Sequence, residues 1–222
     1  MYFGLSEEQQ FFQESINKFL DDTVTVDSLR SFRDGENENL FEIVYKGLNE
    51  LGLCGLIIPE KYGGLGLDSL FAISVSESLG RGIAPYPFIG SFLIAPFLID
   101  QLGSDSQKEK YLPSIAAGEI RFAVALTEMT GRRSETGIES LNHQLNGQIL
   151  FVMDDIESTH YLIVDSDAGI HIVESGESGL EKIELNTVDI TSFISELNLT
   201  DVKTERLGSG SENEETVKRA ID

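Results

Sequence analysis

The side chains able to do chemistry are few and scattered. Arg132 and Arg133 stand side by side in Met129-Thr130-Gly131-Arg132-Arg133-Ser134-Glu135. Two planar guanidinium groups can hold a phosphate or a carboxylate, with plain solvent exposure as the other reading. Leu126-Thr127-Glu128 closes an apolar run with a hydroxyl and backbone amides, donors that could face a cleft and meet a flat polar ring, or simply end a strand. The acidic pairs Asp154-Asp155 and Asp165-x-Asp167 carry too few oxygens for a calcium ion and read as turn residues. His143, His160 and His171 lack ligand spacing and read as surface or strand positions. Cys54, the only cysteine, lies in an apolar stretch without a neighbouring cation and reads as a small buried hydrophobe. No P-loop, complete GxGxxG, GxSxG elbow or HExxH occurs, so kinase, hydrolase and zinc-peptidase chemistry lose their support.

Charge and hydropathy narrow the partners. The 222 residues carry a formal net charge of −22, which opposes nucleic acid and anionic membrane surfaces, since phosphate binding needs clustered Lys and Arg. Residues 154 to 215 hold 16 acidic and 3 basic side chains, a solvated face. The longest apolar run, Phe92 to Ile99, has eight residues and contains Pro96, against roughly 20 needed to span a bilayer. No membrane insertion is expected. The first residues carry no basic region followed by a long apolar stretch, so the cytoplasm is the expected compartment.

Two periodicities divide the elements that must position these groups. Up to about residue 118 the spacing is helical. Phe12, Ile16, Phe19 and Leu20 form one stripe behind a Ser6–Gln9 capping box, and further helices are predicted over 27–32, 39–51, 68–79, 89–102 with a kink at Pro96, and from Ser104 with a second capping box at Gln107. Between them, Pro59 and the cluster Gly63-Gly64-x-Gly66 read as a loop whose glycines allow close approach of another segment or a ligand. After Gly118 the runs shorten and become β-branched: 122–126, 149–153, 161–164, 170–173 and the alternating Leu197, Leu199 and Val202. Ser211 and Glu214 open one more helix. The fold class is α+β: a helical bundle over 1–118, a small antiparallel β-domain over 119–208, and the start of another helical segment over 209–222.

One ordered set of short motifs is more specific than any of these. It comprises Leu51-Gly52-Leu53-Cys54-Gly55-Leu56, Ile58-Pro59-Glu60-Lys61-Tyr62-Gly63-Gly64-Leu65-Gly66-Leu67, Glu77-Ser78-Leu79-Gly80-Arg81, Gln107-Lys108-x-Lys110-Tyr111-Leu112-Pro113, Ala117-Gly118-Glu119 and Ala125-Leu126-Thr127-Glu128. In this order and spacing the chain resembles the acyl-CoA dehydrogenases, densely through residue 128 and thinly afterwards. The resemblance implies a helical bundle, a β-domain and then a second helical bundle, with 209–222 as the truncated start of the last. It implies FAD as cofactor, with Val124, Leu126, Thr127, Phe151 and Met153 against the flavin, and an acyl-CoA as substrate, with Arg132, Arg133 and Ser134 on its side.

The chain also departs from that pattern. Family members follow Thr-Glu with Pro and a small-residue loop ending in Gly-Ser-Asp, where this chain has Met129-Thr130-Gly131-Arg132-Arg133-Ser134-Glu135. In Leu145-Asn146-Gly147-Gln148-Ile149-Leu150-Phe151-Val152-Met153, Phe151 stands at the usual tryptophan and Met153 at a flavin-facing threonine. FAD binding by this chain is therefore expected to be weak or absent. The family's acid–base carboxylate belongs to the second bundle, so no catalytic residue, and no metal ligand, is assigned here. The leading reading is α,β-dehydrogenation of an acyl-CoA by the complete protein. A non-catalytic partner subunit of a heteromeric dehydrogenase is the alternative, and flavin oxidases or monooxygenases of the same fold form a third class. Association into a homo- or hetero-oligomer is expected.

Overall fold

A computed structural model of the chain describes residues 4–37, 39–126, 137–208 and 213–221. Helices come first: α1 (Glu7–Thr23), α2 (Val26–Arg33), α3 (Leu40–Glu50), α4 (Ser69–Arg81), α5 (Ala95–Leu102) and α6 (Asp105–Ala116). The capping boxes predicted at Ser6/Gln9 and Ser104/Gln107 both form, and Asp68 caps α4 by accepting the N–H groups of Leu70 and Phe71. The helix predicted from Ile89 with a kink at Pro96 takes another form. Phe88–Ile94 winds as a π-helix and runs straight into α5, where Pro96 occupies the first turn. Pro96 can donate no N–H to the preceding turn, and the irregularity falls on the wider π-turns just before it.

The glycine cluster after Pro59 receives its own chain. Leu65, Gly66 and Leu67 donate N–H groups to Gly55, Ile58 and Leu56 at 2.8–2.9 Å. A Cβ on Gly64 would sit 2.1 Å from the Ile58 carbonyl oxygen, so only glycine fits. Cys54 is buried as expected, its Sγ 2.9 Å from the Ala116 carbonyl, and burial pushes its thiol up to about 11.

Eight strands follow: β1 (Phe122–Ala125), β2 (Gly137–Leu141), β3 (Gln144–Met153), β4 (His160–Val164), β5 (Ile170–Glu174), β6 (Leu180–Glu184), β7 (Ile194–Lys203) and β8 (Glu205–Leu207), before a closing helix α7 (Asn213–Ile221). Their order is β6-β7-β3-β1-β4-β5-β8, with β2 on β3. The antiparallel expectation needs one correction: β1 and β4 run parallel, Phe122 beside His160 through Ala125 beside Ile163, so the sheet is mixed. A parallel pair requires a long crossover, which the β2–β3 hairpin supplies.

Alternation along these strands feeds two cores. Phe122, Val124, Leu126, Leu162, Val164, Ile170 and Ile172 join the helices in one cluster. Ala123, Ala125, Ile149, Val152, Ile163, Leu197 and Val202 form a second cluster made of sheet residues alone. Among the described residues no helix packs into that second cluster, and the sheet curls around it. β1 and β4 are buried on both faces, which explains their unbroken apolar runs. Among the described residues, no helix is long and apolar enough to cross a membrane.

Candidate functional site

The site is built at the far end of β3. Ile149 and Val152 both turn into the curled core, although residues three apart on a regular strand face opposite ways. A register shift on the β7 side between Ile149 and Val152 supplies the extra residue. Phe151 is swung outward by it, 53% exposed, with a left-handed backbone at φ 55°. That conformation costs a bulky side chain about 1 kcal/mol or more. Met153 then returns to the helical side, half-buried, paired in register with Val124 of β1.

Asp154 ends the strand, also at φ 59°. Its Oδ2 accepts the N–H of Gly90 at 2.6 Å, so the carboxylate caps the opening turn of the π-helix, where free N–H groups favour an anion. A Cβ at Gly90 would lie 3.1 Å from that oxygen, 3.2 Å from Val124 and 3.3 Å from Met153. The bare glycine thus lets the carboxyl reach the helix backbone. Asp154, Met153 and Ile194 line a cleft of about 580 Å³ together with Leu79, Ile83, Phe88 and Ile89. At its rim the Asp189 carboxylate accepts the hydroxyl groups of Ser192 and Thr191 and the Thr191 N–H, and these bonds hold it below the usual carboxylate range.

Burial raises the Asp154 carboxyl to about 6, against the opposing pull of the Gly90 and Ser91 N–H groups. A native-state value above that of the unfolded chain, about 3.9, means that the folded protein binds the proton more tightly. Its stabilising effect is complete below about pH 4 and is lost as pH rises towards 6. We predict that Asp154→Asn, which keeps an acceptor for Gly90, is more stable than the wild type by about 2 kcal/mol at pH 7.5, with the gap closing towards pH 4. Urea unfolding of both proteins across that range measures it.

The sequence-predicted positions are only partly brought together. Val124 and Met153 meet over Gly90. Val124 is fully buried and Leu126 nearly so, both turned towards the helices, while Phe151 projects away from the cleft. Thr127, Arg132, Arg133 and Ser134 lie outside the described residues. The reading of Asp154-Asp155 as turn residues requires correction. They leave the strand at a bend, but Asp155 is buried and accepts hydroxyl groups from Ser195 and Tyr161, with Lys182 Nζ 3.4 Å away. His171 takes a strand position on β5, as one of its two readings had it, and is buried there with its Nε2 2.8 Å from Asp165 Oδ2. Asp165 does close a turn, accepting the N–H groups of Asp167 and Gly169. Gly90 escaped notice because a glycine inside an apolar run signals only flexibility until its neighbours are known.

Known proteins share this fold. The family model for the acyl-CoA dehydrogenase N-terminal domain matches residues 6–119. A mitochondrial isovaleryl-CoA dehydrogenase of Pongo abelii is 35% identical over 128 residues, 56% of this chain and 30% of the relative. The matched segment thus spans about a third of the length of that protein. Among solved structures, a glutaryl-coenzyme A dehydrogenase in complex with glutaryl-CoA superposes with a TM-score of 0.82 at 24% identity, covering 100% of this chain and 61% of the other. An acyl-CoA dehydrogenase from Bacillus anthracis complexed with FAD gives 0.81 at 22% identity, covering 98% and 40%. Helical half, mixed sheet and matched motifs agree, and the chain belongs to the acyl-CoA dehydrogenase family.

Proposed function

We propose that this chain carries the flavin- and acyl-binding faces of an enzyme that dehydrogenates an acyl-CoA thioester at Cα–Cβ, with the cleft beneath α4 receiving the acyl chain. The observation that carries the reading is Phe151: an aromatic ring held outward from a bulge by a strained backbone, on the strand that also lines the cleft through Met153. Such strain persists only where the surrounding structure maintains it, and it clusters at functional sites. A ring so presented fits a flavin, stacking against its flat face, and the strand end at Leu126 and Thr127 would border it. FAD, when bound, supplies the hydride acceptor that no side chain can provide. Arg132, Arg133 and Ser134 would lie towards the substrate. Proton abstraction from the acyl group is assigned to no residue of this chain, and residues 209–222 are proposed as the beginning of a second helical domain.

Titration of the purified chain with FAD, followed by flavin fluorescence, tests this. We expect weak binding, because Met153 offers no hydrogen-bond donor, and a further loss of about tenfold in Phe151→Ala, the worth of one aromatic contact. Equal affinity of the two proteins would sink the assignment.

Association is proposed as well. Ile73 on α4 is 63% exposed and lines a groove of about 710 Å³ between α4, α5 and α7, and Leu70 on α4 and Ile83 beyond it are 58% and 53% exposed. Light scattering across a salt series should show mass rising as the net charge is screened. A monomer at every ionic strength is the contrary result.

A further inference from the structure

Asp154 is more than the cleft needs for its own architecture. An asparagine would accept the Gly90 N–H equally well without placing a charge in a poorly hydrated site, so the carboxylate is held where it costs stability. A carboxylate has about four acceptor positions, and the backbone N–H groups of Gly90 and Ser91 take part of that capacity, leaving the remainder towards the cleft it lines. Leu79, Ile83, Phe88 and Ile89 add hydrocarbon to the lining. Among the described residues, the carboxylates in the lining are Asp154 and Asp189, beside the Tyr86 phenol, and no lysine or arginine contributes. Asp189 is closed off by Thr191 and Ser192. Asp154 is therefore the group available to a ligand's far end.

We propose that Asp154 is a specificity determinant of this cleft, selecting an acyl group whose distal end carries a hydrogen-bond donor, an alkylammonium above all, and excluding one that ends in a carboxylate. This rests on the reading of the cleft as the acyl pocket. The physics is that of an apolar channel with one charged terminus. Along the channel a chain gains by leaving water, whatever its end. At the terminus an ammonium meets an opposite charge in a medium that screens it poorly, whereas a second carboxylate meets a like charge there.

Stable thioethers separate the possibilities: S-heptyl-, S-(6-aminohexyl)- and S-(5-carboxypentyl)-coenzyme A, titrated calorimetrically into the chain at pH 7.5. The aminohexyl compound should bind at least about tenfold more tightly than the carboxypentyl one, and Asp154→Asn should reduce that ratio below about threefold while leaving S-heptyl-coenzyme A within about twofold. An unchanged ratio in Asp154→Asn overturns the proposal and leaves the acyl-pocket reading intact. Failure of all three compounds to bind removes that reading instead. In that case free heptylamine and hexanoate, followed by the amide chemical shift of Gly90, still decide on Asp154: a shift with the amine, lost in the asparagine variant, supports it, and no shift with either refutes it. Circular dichroism of the isosteric variant verifies its fold.

Discussion

Replacing Phe122 by alanine is expected to cost about 3–5 kcal/mol and to melt helices and sheet in a single transition. Phe122 opens β1 and is fully buried in the cluster shared by both halves. Its ring meets Tyr111 of α6 at 6.0 Å and His160 of β4 at 5.3 Å, and its N–H is received by the buried Ser91 hydroxyl at 2.8 Å. Truncation leaves a hole bounded by a helix, the π-turns and two strands, none of which can shift without disturbing another. Urea unfolding followed by circular dichroism for the helices and tyrosine fluorescence for the whole chain, which has no tryptophan, gives the number. Two separated transitions in the wild type would show that the shared core does not couple the halves.

Asp155→Ala is expected to be the next most damaging change, at about 3 kcal/mol. The carboxylate is buried and gathers Ser195, Tyr161 and Lys182 from β7, β4 and β6. Removing the acceptor strands two hydroxyl groups and weakens the anchor of an ammonium that also reaches Glu184 at 3.3 Å, and unpaired buried groups cost more than the bonds gained. Asp155→Asn, which retains an acceptor, should lose less than half as much. Hydrogen exchange should place the damage on β6 and the segment 185–194, with β1 and β4 protected as before. Equal loss in both variants would mean that the charge, rather than the acceptor, matters.

Much of this architecture was legible because local signals and burial agreed. The capping boxes at Ser6 and Ser104 fix helix starts by hydrogen bonds within four residues, and β1 and β4 announce themselves as apolar runs because both faces are covered. β2, β6 and β8 were not legible. Leu180-Glu181-Lys182-Ile183-Glu184 has two apolar residues and sits at the sheet edge, and Glu205–Leu207 spans three residues held by β5. The parallel pairing of β1 with β4 depends on contacts between residues 38 apart, as at Phe122 and His160, which no local pattern encodes. In the site, Phe151 and Met153 could be singled out by motif, whereas the cap of Asp154 on Gly90 bridges 64 positions. A turn-forming aspartate and a cleft-lining one look alike until the fold joins them.

The core shared by helices and sheet also sets an order of events during synthesis. The helical half is complete in sequence at Ala116, yet the cluster that buries its inner face also recruits Phe122, Leu162, Ile172, Leu207 and finally Val217. At ordinary rates of translation, about 5–20 residues per second, those partners arrive over roughly 5–20 s, while the helices wait with Phe92, Leu98 and Leu112 not yet fully covered. The nascent chain is thus a natural client for whatever shields apolar surface at the ribosome exit. Pausing before β4 would prolong that exposure, and a pause after α7 would not.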